Sequence, residues 1–321
     1  MSNKTKSIII LILSATFVPE LLTGSTNLFM FFIEPIRFPI LLIAYGLAIL
    51  LIREISVRYK MSLGGIFLMG LAYTIINEGL FAKTIIKYSN LPFNVFDNYG
   101  YIANISVPWA LWISLFHSVC SVLFPILLVR FLYPSEDSAV WLGKKTTAIF
   151  SFLVLGLGTG FFFDPQVIKG TPETWWLLMT ILVGATLIAI KRYKNTEIPQ
   201  PKTINSKIVY IGISTFFYVY VMALIAIWKW PTIIYILAFL LGMYVFIKIL
   251  NKRYGISDKV ILLFVSGCYI HVAITGILLS IFVVPQLIVE RAFVELTAIA
   301  CFVALIKKII NRHKSIHDVV L

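Results

Sequence analysis

Long apolar runs separated by short polar stretches repeat from one end of this 321-residue chain to the other. A hydrocarbon core about 30 Å thick is crossed by about 20 apolar residues in helical form. That ruler predicts ten spanning helices, at roughly 7–32, 37–53, 61–84, 105–131, 146–163, 174–190, 208–227, 231–249, 259–284 and 286–306. The expected fold class is therefore an all-α polytopic membrane protein. It is organised as one transmembrane bundle over 1–306 and a basic cytoplasmic tail over 307–321. The first run starts behind Lys4 and Lys6 like a signal peptide. It has no small-x-small cleavage site, Pro19-Glu20 follows directly, and it is read as a retained span.

Composition agrees with the pattern. Hydrophobic residues make up 60% of the chain and charged ones only 13%, against about 25% charged in soluble domains. Mean hydropathy is +0.95. These values exclude an ordinary soluble domain, a disordered chain, collagen and a secreted disulfide scaffold. Cys120, Cys268 and Cys301 lie inside apolar runs and form neither a disulfide framework nor a zinc spacing.

Charge then orients the spans. With the N-terminus inside, 21 of the 27 Lys and Arg residues fall in the inner segments, beside only six acids. An excess of Lys and Arg on cytoplasmic loops sets orientation, so both termini are expected on the cytoplasmic side. The net charge of +13 needs no nucleic-acid partner to explain it. Trp109, Trp112, Trp175, Trp176, Trp228 and Trp230 fall near the predicted outer ends, where amphipathic rings collect. The outer loop 86–104, rich in Asn and aromatics, either covers an outward cavity or lies among the headgroups. In the tail, His313 and His317 have metal-compatible i,i+4 spacing, but they are read as part of a plain solvated tail.

Ionisable residues inside spans cost about 2.5–3.5 kcal/mol on insertion scales and usually face a partner or a cavity. Glu20, Glu78, His117, His271 and Glu295 meet that description, and all fall in the middle or outer half of their spans. Asp164 is expected to be an interfacial helix end beside Pro165, and Glu290 and Arg291 a solvated boundary pair. Glu54 and Arg58 read as an interfacial i,i+4 pair worth tenths of a kcal/mol. Glu295 is positioned to snorkel or to pair with Arg291 one turn away.

Span 1 is interrupted by Pro19-Glu20 and by Gly24-Ser25-Thr26. That is the pattern of a broken helix lining a cavity or of a kinked helix followed by an interfacial segment. His117-x-x-x-Ser121 and His271-x-x-x-Thr275 occupy corresponding places in two five-span halves, a faint trace of an inverted repeat. Gly156-x-x-x-Gly160 looks like a helix-packing face. The chain has no Walker A loop, no His-Glu-x-x-His, no Gly-x-Ser-x-Gly and no Cys-x-x-Cys, so ATP hydrolysis is excluded and any chemistry uses scattered residues.

Glu20-Leu-Leu-Thr-Gly-Ser-Thr26, Tyr45-Gly46, Arg53-Glu54, Ala72-Tyr73, Glu78-Gly79 and His117 followed by Pro125 and Pro134 span the first 135 residues. Together they resemble a broad group of uncharacterised prokaryotic multi-span membrane proteins, a resemblance that implies no activity. The chain is more loosely similar to the CPBP (CAAX protease and bacteriocin-processing) intramembrane proteases. Their Glu-Glu-x-x-x-Arg, Phe-x-x-x-His and His-x-x-x-Asn motifs would fall on Glu78, His117 and His271. Asn77, Ala82, Ile113 and Thr275 depart from those motifs.

Three functions fit these residues. A proton- or ion-coupled permease for a small molecule would use Glu20 and Glu78 as protonatable sites, with His117, His271 and Glu295 binding or relaying. An intramembrane hydrolase would use Glu78 as general base with His117 and His271 in support. A non-catalytic subunit or immunity-type protein would use the same groups only to hold helices together. None calls for a cofactor, and the expected partners are the bilayer and a small molecule or ion.

Overall fold

Ten long helices carry the described residues of the computed structural model, which are 1–29, 33–34, 36–86, 96, 99–164, 170–194, 201–282 and 287–320. They are α1 (Asn3–Thr23), α2 (Arg37–Arg58), α3 (Leu63–Phe81), α4 (Val107–Leu132) and α5 (Lys144–Phe163), then α6 (Pro172–Tyr193), α7 (Lys207–Ile227), α8 (Thr232–Tyr254), α9 (Asp258–Phe282) and α10 (Ile288–Val320). A two-stranded hairpin, β1 (Tyr101–Ile102) with β2 (Ile105–Ser106), precedes α4. The protein is an all-α polytopic membrane protein, with α1 to α9 long and apolar enough to span.

Local chemistry sets several boundaries. Thr171 caps α6 by accepting from Thr174 N at 3.3 Å, and Pro172 takes the first helical position. α1 stops at Thr23 because Gly24 adopts φ +72°, a left-handed conformation that ends a helix most cheaply at glycine. Span 1 is therefore a helix that ends near the outer third of its apolar run; residues 30–32 and 35 lie outside the described residues. α10 runs on from the predicted last span through the region read as the tail.

Among the described residues three helices carry a π-helical segment: Leu42–Leu47 in α2, Ile75–Phe81 in α3 and His117–Leu123 in α4. The wider i→i+5 bonds are explicit where Ala82 N meets Asn77 O at 2.8 Å and where Phe124 N meets Val119 O. Such turns are rare and are frequently found at functional sites. They lie at Tyr45, at Asn77-Glu78 and at His117.

The chain divides into two compact units, one of residues 1–16, 39–197 and 220–240, the other of 17–38, 198–219 and 241–321. In the first, α3 and α4 form the core. α4 is buried over 83% of its apolar window, whereas α5 and α6 are buried over 17% and show most of their length to lipid. Gly70 brings α3 against Ser118 of α4. In the second, Gly212 of α7 and Gly267 of α9 sit against the Phe264 and Val209 carbonyls, the small-residue contact by which helices associate in lipid. The predicted Gly156-x-x-x-Gly160 face packs nothing, since a Cβ on either glycine would meet open space.

Candidate functional site

The π-helical segments of α3 and α4 set two ionisable side chains against each other inside the first unit. Glu78 Oε1 lies 2.8 Å from His117 Nε2, with Glu78 7% and His117 1% exposed. Asn77 Nδ2 stands 3.3 Å from the same ring nitrogen. One nitrogen cannot both accept from the amide and donate to the carboxylate, and the shorter contact makes Glu78 its partner. The ring is turned by its other nitrogen, which lies 2.9 Å from Ser121 Oγ one helical turn on. Aromatic rings wall it in. Tyr73 meets it edge-on at 5.3 Å, and Tyr45 lies at 6.2 Å.

The pair continues toward the predicted outer face. Thr84 Oγ1 donates to Glu78 Oε2 in a short hydrogen bond, and Trp109 Nε1 donates to Thr84 Oγ1 at 3.1 Å. Trp109, Thr84, Glu78, His117 and Ser121 thus form one connected chain of polar groups. Phe96 from the outer loop packs on Trp109 at 5.6 Å, and Phe96 and Tyr99 both meet Tyr235 edge-on. Both loop aromatics are buried, so this part of the loop covers the end of the chain. Residues 87–95 and 97–98 lie outside the described residues. Just beyond α3, Lys83 donates to the Asp164 carbonyl at 2.9 Å. Burial holds its ammonium below the usual lysine range, and the Asp164 carboxylate opposes that shift.

Glu20, His271 and Glu295 belong to the second unit. Thr26 Oγ1, from the turn after α1, donates to Glu20 Oε2 at 2.6 Å. His271 Nε2 lies 3.4 Å from Thr275 Oγ1 one turn on, and its ring meets Phe217 edge-on at 6.3 Å. Glu295 is fully buried, 3.5 Å from Arg291 Nη1, and so pairs one turn back as expected. The solvated reading of Glu290 and Arg291 is corrected. Arg291 Nη1 donates to the Leu21 carbonyl at 2.7 Å, and Glu290 Oε1 accepts a short bond from Leu28 N. The exposed carbonyls and N–H groups where α1 ends are what these side chains satisfy.

Sequence reasoning missed a second polar cluster in the first unit. Glu54 is fully buried, accepting from Trp141 N at 3.1 Å and from Arg58 Nε at 3.3 Å. Arg53, 3% exposed, lies 3.4 Å over the Trp141 ring and donates to the carbonyls of Glu136, Asp137 and Ala139. An adjacent Arg-Glu at a span end looks interfacial. The signal lay in the distant loop between α4 and α5, with Trp141 between Val140 and Leu142 to pack on it. Among the described residues no group of three or more His, Cys, Asp or Glu side chains is placed to hold a metal.

Residues 9–317 match the sequence model of an uncharacterised membrane protein family. No curated protein and no solved structure matches the chain. The similarity to the CPBP proteases has no counterpart among these matches.

Proposed function

Since the chain belongs to this uncharacterised membrane protein family, we propose its function from the site alone: a permease of a prokaryotic cytoplasmic membrane that moves a small molecule coupled to protons or ions. The observation that carries this reading is the connected chain Trp109–Thr84–Glu78–His117–Ser121. Its two titratable members are held in contact and kept from bulk water, as a site that takes up and passes a proton requires. Glu78 is the proton-accepting carboxylate and His117 the group that shares its proton. Ser121 orients the ring, and Asn77 is a polar neighbour within reach of both.

The geometry favours relay over hydrolysis. A general base that activates water needs a carboxylate oxygen aimed at that water, whereas Glu78 gives Oε1 to His117 and Oε2 to Thr84. Glu20, His271 and Glu295 are proposed as further substrate- or ion-binding groups of the second unit. Their support is the shape of that region: α1 ends at Gly24 inside its apolar run, as the broken helices of binding sites do, and Arg291, paired with Glu295, packs on that glycine.

The test is flux. Purified protein in proteoliposomes carrying an internal pH dye is challenged, under an imposed proton gradient, with panels of amino acids, sugars, nucleosides and monovalent cations. Proton movement driven by one of these classes, abolished in Glu78→Gln and strongly reduced in His117→Ala, is the expected result. Hydrolysis of reporter peptides or lipids that depends on Glu78, without flux, would replace this reading with the intramembrane hydrolase. Variants that alter only thermal stability would leave a structural polar cluster.

A further inference from the structure

An apolar hollow of about 260 Å³ opens in the first unit among α2, α3, α5 and α6, walled by Leu51, Ile55, Met69, Leu155 and Leu187 and ending on Tyr73. Its outer wall is not closed by any of the described residues. Leu155 is 37% exposed, Val183 54% and Leu187 48%. In a bilayer these positions face acyl chains, so the hollow is a slot reached sideways from lipid.

One end of the slot is basic. Lys191 follows the lining residue Leu187 by four positions on α6, and Lys144 precedes the lining Ser151 by seven on α5. Both spacings keep a residue on the same helix face. Both lysines are exposed. The ends of these helices converge there. Arg58, at the end of α2, donates to the Leu142 carbonyl just before α5, and Ser62 N, just before α3, meets Tyr193 O at the end of α6. Arg58 is already engaged with Glu54, whereas Lys144 and Lys191 are exposed cations in register with the residues that line the slot.

We propose that the slot holds one acyl chain of an anionic phospholipid, its headgroup phosphate resting on Lys144 and Lys191. The charge pattern puts this end at the cytoplasmic leaflet, whose anionic lipids attract clustered lysines. The tail runs inward along Ile55 and Leu51 to Tyr73, whose ring stands 5.3 Å from that of His117, centroid to centroid. A bound lipid therefore abuts the wall of the Glu78–His117 pair without entering it. The site stands apart from the coupling proposed above, because none of its lining residues belongs to the hydrogen-bonded chain.

Native mass spectrometry of protein extracted from vesicles of mixed phosphatidylglycerol and phosphatidylcholine tests this. Wild type is expected to retain phosphatidylglycerol several-fold over its share of the bilayer. Lys144→Gln with Lys191→Gln, both on the exposed surface, is expected to erase that preference while an unselected lipid remains. Val183→Trp, at a lipid-exposed lining position, is expected to remove the retained lipid. Equal retention of the two lipids by wild type would overturn the proposal. So would a Val183→Trp protein that keeps its lipid, or a lipid-free dimer showing the slot covered by a second copy.

Discussion

Gly70 of α3 lies so close to Ser118 of α4 that a Cβ built on it would stand 2.4 Å from the Ser118 Cα. The approach is backbone against backbone, so no side-chain rotation relieves it. Two turns further along α3, the same closeness lets Glu78 reach His117. Gly70→Val should therefore lower stability by about 1–3 kcal/mol, the usual cost of overpacking. Thermal unfolding in detergent measures it. Gly156→Val, with open space around its position, should stay within about 0.5 kcal/mol of wild type.

Removing either member of the Glu78–His117 pair strands the other in a buried, low-dielectric place, so their effects should not add. A double-mutant cycle with Glu78→Gln and His117→Ala should give a coupling of about 1 kcal/mol or more, within the range measured for contacting residues. Thermal midpoints of the four proteins supply the numbers. Strictly additive effects would mean two separate structural contacts.

The spans were legible in the sequence because lipid imposes a rule on length and polarity that few residues can break. The Glu78–His117 contact was legible only as two suspects. Nothing in the linear pattern shows that α3 and α4 each accept a π turn, and those turns aim both side chains inward. The Arg53–Glu54 cluster was misread because its partners are backbone groups of residues 136–141, and a backbone donor or acceptor leaves no mark in sequence. Arg291 hid for the same reason, since its hydrogen-bond partner is the Leu21 carbonyl.

Glu54 neutralises a guanidinium that is almost wholly out of water. Glu54→Ala leaves Arg53 buried without its carboxylate, and breaking a buried pair in this way costs about 3–5 kcal/mol. The loop at 133–143 is tied to α2 by Arg53, Arg58 and Glu54 together. Its peptide bonds should therefore become cleavable. Limited proteolysis alongside thermal unfolding should show faster cutting within this loop and no new cutting elsewhere.

Arg291 has three tasks: it covers Gly24, donates to the Leu21 carbonyl and faces Glu295. Arg291→Met should cost about 3–5 kcal/mol, because it leaves Glu295 buried without its cation. Adding Glu295→Gln removes the stranded charge and should recover part of the loss. If the second substitution worsens the first, the carboxylate has another partner and the pairing is not what holds α10 to the end of α1.

Whether α10 crosses the bilayer decides where the C-terminus lies. Among the described residues nine helices are long and apolar enough to cross a bilayer, and α10 is not one of them. Glu290, Arg291 and Glu295 crowd its first turns, and Lys307 and Lys308 follow an apolar stretch that is short for a full crossing. A charge is costly in hydrocarbon only where it meets lipid. Here Glu295 is fully buried, Arg291 is spent on Leu21 and Glu295, and Glu290 is bonded to Leu28 N. The protein shelters all three, so α10 should span despite its composition, and its 33 residues, about 50 Å long, are ample. A reporter fused after Leu321 should then read cytoplasmic, on the same side as one fused before Met1. Opposite sides for the two reporters would reduce the spans to nine and place α10 along the membrane surface.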